Sequence, residues 1–187
     1  VLPKPTEPFP REAQTLHSTT LGWRMVNPLM PSAWTLSLGE STEHLADLNG
    51  IGRQAQDAFA ARSHALADAA WAAGRYEDEI VTVPGCDLTR DEAIRPDTTP
   101  ERLGRLKPVF RADGTVTAGN SSPLSDGASA VLVGSAAGAA AVGCEPIARI
   151  AASAVCGVDP EVFGVGPVQA VETALRRAGI GWRDVAQ

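Results

Sequence analysis

The chain has 187 residues, of which 44% are hydrophobic and 20% are charged, so it is long enough to bury a core of one domain or slightly more. A formal net charge of -6 argues against a nucleic-acid-binding surface. No apolar run approaches the ~18 residues of a membrane-spanning helix, and the first ten residues lack the regions of a signal peptide, so we expect a cytoplasmic protein without membrane contacts.

The first part of the chain predicts irregular structure followed by two helices. Residues 1–33 are rich in proline and polar residues, and their apolar residues recur with neither the helical nor the strand period over any length. Residues 41–48 predict a short helix with Ser41 as its N-cap. Residues 53–73 predict a longer, alanine-rich helix that Gly74 closes.

A strand, a capped helix and a basic cluster follow. The run EIVTV at 79–83 predicts a strand, and Thr99 followed by Pro100 predicts the start of a helix. Residues 101–111 then carry four basic side chains against one acid, a local net charge of about +3, at Arg102, Arg105, Lys107, Arg111 and Glu101. Such a cluster suits a phosphorylated ligand, but a charge cluster is more often simply a solvated face, and the residues leave both interpretations open.

The segment TVTAGNSSPLSDGASAVLV, residues 115–133, joins a turn-rich stretch to an apolar run. Because Gly119 and Gly127 lack a Cβ, the backbone can approach a ligand closely at these positions. The residues leave two interpretations open, a ligand-binding loop or an ordinary loop that enters a buried strand.

The last third of the chain predicts strands that lack partners. Residues 128–133 and 146–155 predict buried strands, while 135–142 and 167–179 predict helices. Strands of this kind are buried on both faces, yet few other strands are predicted to pair with them. We therefore expect association with another polypeptide or with further copies of the chain.

The cysteines and histidines predict neither a disulfide framework nor a metal site. The three cysteines are Cys86, Cys144 and Cys156. Their odd number argues against a disulfide framework, and no local signature lowers the pKa of any of these thiols, so we predict no catalytic cysteine here. The three histidines, His17, His44 and His64, are widely spaced and form no metal-ligand pair.

The block at 115–130 closely resembles the thiolase superfamily, whose members carry a similar TVTAGN motif followed by DGA. The resemblance covers essentially the whole chain through four further blocks: SLGESTE at 37–43, QDAFAARSHALA at 56–67, DEAIRPDTT at 91–99 and GVDPEVFGVGPVQAVETALRRAG at 157–179. It implies an α/β thiolase-like fold with α+β character and incomplete α/β layers in this part. The implied divisions are a loop domain at 1–117, the end of the N-terminal α/β domain at 118–156 and the start of the C-terminal domain at 157–187.

The resemblance also implies Claisen condensation or thiolysis, in which an acyl group passes between coenzyme A and a 3-ketoacyl-CoA. The family's nucleophilic Cys, NEAFA block, GHP histidine and second Cys motif do not occur here, so we predict no catalytic residues and no activity of this chain alone. Two alternatives stay open, a non-catalytic acyl-CoA or lipid-binding relative and an oligomerisation module with a vestigial groove. In thiolases the segment that corresponds to residues 1–33 contributes to subunit contacts, and a covering loop packed on the chain's own core stays open as an alternative. We expect a homo-oligomer, or association with the remaining thiolase halves.

Matched block to block, six residues fall on the coenzyme A site of the family: Ser37, Leu38, Arg95, Arg102, Ala118 and Ser122. Ser37 and Leu38 take the place of a His-Met pair that lines the pantetheine channel. Arg95 falls on an arginine beside the adenine nucleotide, and Arg102 falls on a serine that contacts the cofactor. Ala118 and Ser122 fall on residues that touch the pantetheine amides. Coenzyme A or acyl-CoA is thus implied as substrate, with no permanently bound cofactor and no metal.

Overall fold

The computed structural model describes residues 4–5, 7–11, 13–18 and 22–186. In this part of the chain there are five α-helices: α1 (Leu38–Asn49), α2 (Arg53–Ala72), α3 (Pro100–Leu103), α4 (Ala136–Val142) and α5 (Gly166–Ala178). Short 3-10 helices occur at Ser32–Thr35, Pro160–Val165 and Trp182–Asp184. The chain divides into two compact units. The first runs to Ser122 and includes Asp159–Phe163, and the second comprises Pro123–Val158 and the residues from Gly164 onward.

The N-cap of helix α1 lies four residues earlier than the sequence predicts. The N-cap is Ser37, whose Oγ accepts a hydrogen bond from the Glu40 N–H at 3.2 Å. The prediction of Ser41 as the cap is wrong, because Ser41 lies inside the helix, where its buried hydroxyl donates to the Glu161 carbonyl at 2.5 Å. Gly50 ends the helix with a φ of 62°, which a residue with a side chain rarely adopts.

The next two helices match their local signals. Helix α2 ends one residue before the predicted boundary, and Gly74 follows with a φ of 69°. Helix α3 has Thr99 as its N-cap, whose Oγ1 accepts from the Arg102 N–H at 3.3 Å, and Pro100 opens it. With four residues it is a single turn.

The second unit contains α4 and α5. Helix α4 is capped by Ser135, whose Oγ accepts from the Gly138 N–H at 3.1 Å, and α5 ends at Gly179 with a φ of 74°. The helices predicted at 135–142 and 167–179 are thus confirmed, each to within one residue. Along 151–158, exposed and half-buried residues alternate, and Arg177 of α5 donates to the Ser153 carbonyl at 2.6 Å. This non-helical segment therefore packs against α5.

The predicted strands are not formed. Residues 79–83, 128–133 and 146–155 are non-helical, and no residue in the described ranges belongs to a β-ladder. A strand needs a second chain segment to satisfy its N–H and C=O groups, and the described residues offer none beside these runs. The predicted α/β layering is therefore not seen here; the regular structure is helical.

The core of the first unit is more polar than apolar. Its buried hydrophobic side chains are Ala46, Leu103 and Val116, and its buried polar ones are Ser41, Glu43, Asp57 and Thr117. Buried polar groups are costly unless they are hydrogen-bonded, and in the described residues every fully buried side-chain nitrogen and oxygen has a partner. Hydrogen bonds thus hold this unit together alongside hydrophobic contacts.

Candidate functional site

Residues 115–122 form a loop that α1 holds through one carboxylate. Glu43 is 1% exposed, and its Oε1 accepts from the Val116 N–H at 2.8 Å. The Thr115 N–H lies 2.9 Å from both carboxylate oxygens, and the Thr115 hydroxyl donates to Oε2 at 2.8 Å. One side chain of α1 therefore receives three donors from the first two residues of the loop.

These donors also control the charge of Glu43. Burial acts to raise the pKa of this carboxyl, but the hydrogen bonds from Thr115 and Val116, helped by the positive charge of Arg111, bring the pKa below its ordinary value. Glu43 is consequently ionised at neutral pH, and an ionised carboxylate only accepts hydrogen bonds.

Helix α2 holds the other end of the loop. The Asn120 amide donates to Asp57 Oδ1 at 3.0 Å and to the Thr115 carbonyl at 3.0 Å, and its Oδ1 accepts from the Thr117 N–H at 2.7 Å. Asp57 is 3% exposed, and its second oxygen accepts from Arg53 Nε at 2.7 Å. The side chain of Asn120 therefore ties together both ends of residues 115–120 and anchors them to α2.

Gly119 in the loop and Gly114 directly before it both lie close to neighbouring side chains. A Cβ on Gly119 would lie 2.5 Å from the ends of both Leu103 and Leu106, so the loop packs directly on the turn at α3. A Cβ on Gly114 would lie 2.3 Å from Glu43 Oε1. Close approach, as the sequence predicts for Gly119, is thus made to protein side chains on this side of the loop.

Burial divides the loop into two parts. Val116 and Thr117 are buried, whereas Ala118, Ser121 and Ser122 are exposed. The buried part is fixed to the helices, and the exposed part leaves backbone and hydroxyl groups accessible. Both Ala118 and Ser122, two of the six predicted site residues, lie in the exposed part.

The remaining predicted residues form two further groups. Ser37 and Leu38 lie at the start of α1, where the Ser37 hydroxyl caps the helix and Leu38 is exposed. Within the described structure, no hydrogen bond joins either residue to Ala118 or Ser122.

Arg95 and Arg102 are brought together by a carboxylate. Arg102 forms an ion pair with Asp97, and Arg95 acts on the same carboxyl through its charge. The hydrogen bond from Arg102, together with both positive charges, holds the pKa of Asp97 below its ordinary value. The Arg95 backbone N–H also donates to His64 Nδ1 at 3.2 Å, which fixes this segment to α2.

The basic cluster at 101–111 is partly neutralised. Arg111 donates to Glu40 at 3.1 Å and to Asp47 at 2.7 Å, so its charge is used to attach the chain to α1. Arg105 and Lys107 have exposed side chains that make no ion pair with any described residue. The cluster is therefore a smaller positive patch than the sequence predicts.

The sequence did not reveal the roles of Glu43 and Asp57. A signal for Glu43 was present, because Gly39, Glu43 and Ala46 recur at the i, i+4, i+7 spacing of one helix face, and all three are buried. An acidic residue in a buried stripe needs donors from elsewhere in the chain. Asp57 offers only the weaker signal of an Arg53 four residues earlier.

The cysteines are free thiols, and Cys86 and Cys144 are exposed. Cys156 is half-buried, with its Sγ 2.9 Å from Gln169 Oε1. Across the described ranges, no group of three or more histidine, cysteine, aspartate or glutamate side chains is arranged to hold a metal ion. None of the helices in the described ranges is sufficiently long and apolar to cross a membrane.

The sequence and the structure both match known proteins. The sequence model of the family "Thiolase, N-terminal domain" matches residues 9–137. A β-ketoadipyl-CoA thiolase of Escherichia coli is 43% identical over 193 aligned residues, which cover 99% of this chain and 48% of that protein. A 3-ketoacyl-CoA thiolase of Aeromonas hydrophila is 51% identical over 156 residues, 79% of this chain and 40% of that protein.

The solved structures agree. The crystal structure of human mitochondrial 3-ketoacyl-CoA thiolase in complex with CoA superposes with a TM-score of 0.76 at 39% identity, and the match covers 84% of this chain and 40% of that one. The acetyl-CoA acetyltransferase of Bacillus anthracis gives a TM-score of 0.72 at 38% identity, over 81% of this chain and 40% of that one. The chain spans about half the length of the curated relatives it matches. By sequence and by fold, the chain belongs to the thiolase family.

Proposed function

We propose that this chain is the coenzyme A-binding part of a thiolase that transfers an acyl group between coenzyme A and a 3-ketoacyl-CoA. The observation that carries the proposal is the loop at 115–122, which is fixed on its buried side by Glu43 and Asp57 and open to a ligand on its other side. The printed names of relatives support it, since they act on 3-ketoacyl-CoA and β-ketoadipyl-CoA, and one solved neighbour contains CoA.

In this proposal the six predicted residues divide the ligand between them. Ala118 and Ser122 contact the pantetheine amides, and Ser37 and Leu38 line the channel beside them. Arg95 and Arg102 interact with the nucleotide end, where phosphate oxygens suit guanidinium donors. Arg102 is paired with the Asp97 carboxylate, and the charge of Arg95 also acts on it. A phosphate therefore has to compete with this carboxylate for both arginines.

The catalytic groups belong to the rest of the proposed enzyme. We place the loop domain at 1–117, the end of the N-terminal domain at 118–156 and the start of the C-terminal domain at 157–187. The expected setting is the cytoplasm and the expected assembly is a homo-oligomer. Without the cysteine and histidine motifs of the family, residues 1–187 bind coenzyme A but do not cleave or form a carbon–carbon bond.

A second function, association alone, is favoured by one observation. Large apolar side chains in the second unit are exposed, among them Leu132, Ile147 and Val155. Surfaces of this kind mark protein contacts. A chain that served only as an assembly module would keep this surface and would have no use for Arg95 and Arg102.

A titration of coenzyme A into the purified protein separates the two functions. We expect binding by calorimetry, and we expect joint replacement Arg95→Ala and Arg102→Ala to weaken it about tenfold through loss of charge-assisted contacts. Arg75→Ala is the matched control, because the Arg75 side chain is exposed and makes no ion pair in the described structure. Absence of coenzyme A binding by the unaltered protein would refute the proposal.

A further inference from the structure

We infer that Glu43 and Asp57 are positioning residues that fix residues 115–120 in their ligand-binding shape before the ligand arrives. Neither carboxylate is exposed, so neither reaches a ligand itself. Each acts through the loop, Glu43 through Thr115 and Val116 and Asp57 through Asn120. The inference rests on the proposed role of this loop in binding pantetheine.

Glu43 fixes the backbone of residues 115 and 116. Two successive backbone N–H groups and one hydroxyl point at the same carboxylate, at 2.8 to 2.9 Å. Such convergence fixes the direction of both peptide groups, because an ionised carboxylate accepts and never donates. Val116 also accepts at its carbonyl from the Val109 N–H at 3.0 Å, so this residue is fixed on both sides.

Asp57 fixes the orientation of the Asn120 amide. Asp57 Oδ1 can only accept, so the amide NH₂ of Asn120 faces it and the amide oxygen faces the Thr117 N–H. The same NH₂ reaches back to the Thr115 carbonyl, which closes a ring of contacts across the loop. Arg53 fixes Asp57 in turn through its second oxygen.

Residues 118 and 119 lie between the backbone fixed by Glu43 and the Asn120 side chain fixed by Asp57. Thr115, Val116 and Asn120 are fixed, so the intervening Ala118 and Gly119 have little freedom of their own. Gly119 is further confined by Leu103 and Leu106, and its N–H lies 3.2 Å from the Thr117 hydroxyl. A loop that is ordered beforehand does not spend binding energy on ordering, and this raises affinity without a new contact.

The test uses conservative variants and measures the binding of coenzyme A and of its two halves separately. Glu43→Gln places an NH₂ group against the donors of Thr115 or Val116, and Asp57→Asn places one against either the Asn120 amide or Arg53 Nε. Ser41→Ala is the matched control, because it removes a buried hydrogen bond of the same helix α1 that does not involve the loop. Calorimetry or NMR titration then measures coenzyme A, pantetheine and adenosine 3′,5′-bisphosphate separately, and circular dichroism checks the fold.

We expect Glu43→Gln and Asp57→Asn to weaken pantetheine and coenzyme A binding by about tenfold, the effect of one lost charge-assisted hydrogen bond, while adenosine 3′,5′-bisphosphate changes by less than about twofold. Ser41→Ala should leave all three ligands unchanged. A purely structural role would instead weaken both halves of the ligand together, in Ser41→Ala as well, and would overturn the inference. Unaltered pantetheine binding by folded Glu43→Gln would overturn it too.

Three further outcomes are decisive. If both variants fail to fold, hydrogen exchange of the unaltered protein takes over, because a preformed loop already protects the Val116 and Thr117 amides in the absence of pantetheine. Exchange of these two amides at the rate of an unstructured chain in the free protein, with protection appearing only on ligand addition, would show that the loop becomes ordered only when the ligand binds and would overturn the inference. If the unaltered protein binds coenzyme A but not pantetheine, the inference fails and the proposed function stands. If it binds none of the three ligands, both fail.

Discussion

Two short non-helical runs, TVT at 115–117 and VLV at 131–133, differ in burial: the more polar run is largely buried, and the apolar run is exposed. Val116 is 5% exposed and Thr117 is 0% exposed, whereas Val131 is 82% and Leu132 is 85% exposed. The polar run is buried because Glu43 and Asn120 satisfy its backbone groups. The apolar run has no such partners among the described residues. Available partners, more than side-chain hydrophobicity, decide which run is buried here.

The largest effect on stability is expected when the contacts of the buried run at 115–117 are removed. Glu43→Ala leaves the N–H groups of Thr115 and Val116 without acceptors in a buried site, so we expect a loss of about 3 kcal/mol in the free energy of unfolding. Urea denaturation measures it. Glu92→Ala, at an exposed residue without an ion pair in the described structure, is the control and should stay within about 0.5 kcal/mol of the unaltered protein.

A change below about 1 kcal/mol for Glu43→Ala would contradict this reasoning. It would mean that water replaces the carboxylate at little cost, and that the loop holds its shape through Asn120 alone. The difference in burial between the runs 115–117 and 131–133 would then depend less on α1 than the Glu43 hydrogen-bond distances indicate.

The exposed side of the comparison is tested at Leu132. If this apolar run is covered by another copy of the chain, Leu132→Asp should weaken self-association by about 2 kcal/mol, the cost of losing one buried leucine, without changing the urea midpoint of the first unit. Sedimentation equilibrium measures the association. Ser125→Asp adds the same charge outside the apolar run and serves as the control. Equal association of all three proteins would exclude the run from the contact.

A pair of glycines sharpens the comparison. Gly119→Ala forces a Cβ to within 2.5 Å of Leu103 and Leu106, and we expect it to lower the free energy of unfolding by about 1.5 kcal/mol. Gly127→Ala meets nothing within 4 Å, so it should be neutral or slightly stabilising. Thermal unfolding of both variants checks the difference. Similar melting temperatures would show that the two leucines yield freely to the added methyl group.

Local signals predicted the helices, and long-range contacts set what the sequence could not reveal. Thr99 with Pro100, and Gly179 after α5, mark helix ends through interactions a few residues long. The cap of α1 was misassigned because Ser37 and Ser41 both offer a suitable hydroxyl. Sequence alone cannot choose between them, since the bond from Ser41 to Glu161 spans 120 residues.

For residues 115–133 the sequence leaves a ligand-binding loop and an ordinary loop that enters a buried strand both open, and the resemblance supplies the six site residues. The support of the loop was not predicted, because the contact of Glu43 with Thr115 joins residues 72 apart. Apolar patterns at 128–133 and 146–155 predict buried strands. A pattern of this kind does not state which segment provides the partner, and no described residue does.

The smallest expected effect is the pH dependence of the Glu43 contact, because burial and hydrogen bonding act on its pKa in opposite directions. The net result is a pKa below the ordinary value of about 4.5. The carboxylate therefore contributes stability that is present above this ordinary value and is lost as the pH falls through the folded-state pKa. Glu43→Gln lacks this group, so the gap between its urea midpoint and that of the unaltered protein should narrow as the pH falls from about 5 to about 3. A constant gap across this range would mean that Glu43 stays ionised throughout, or that it contributes through its shape alone.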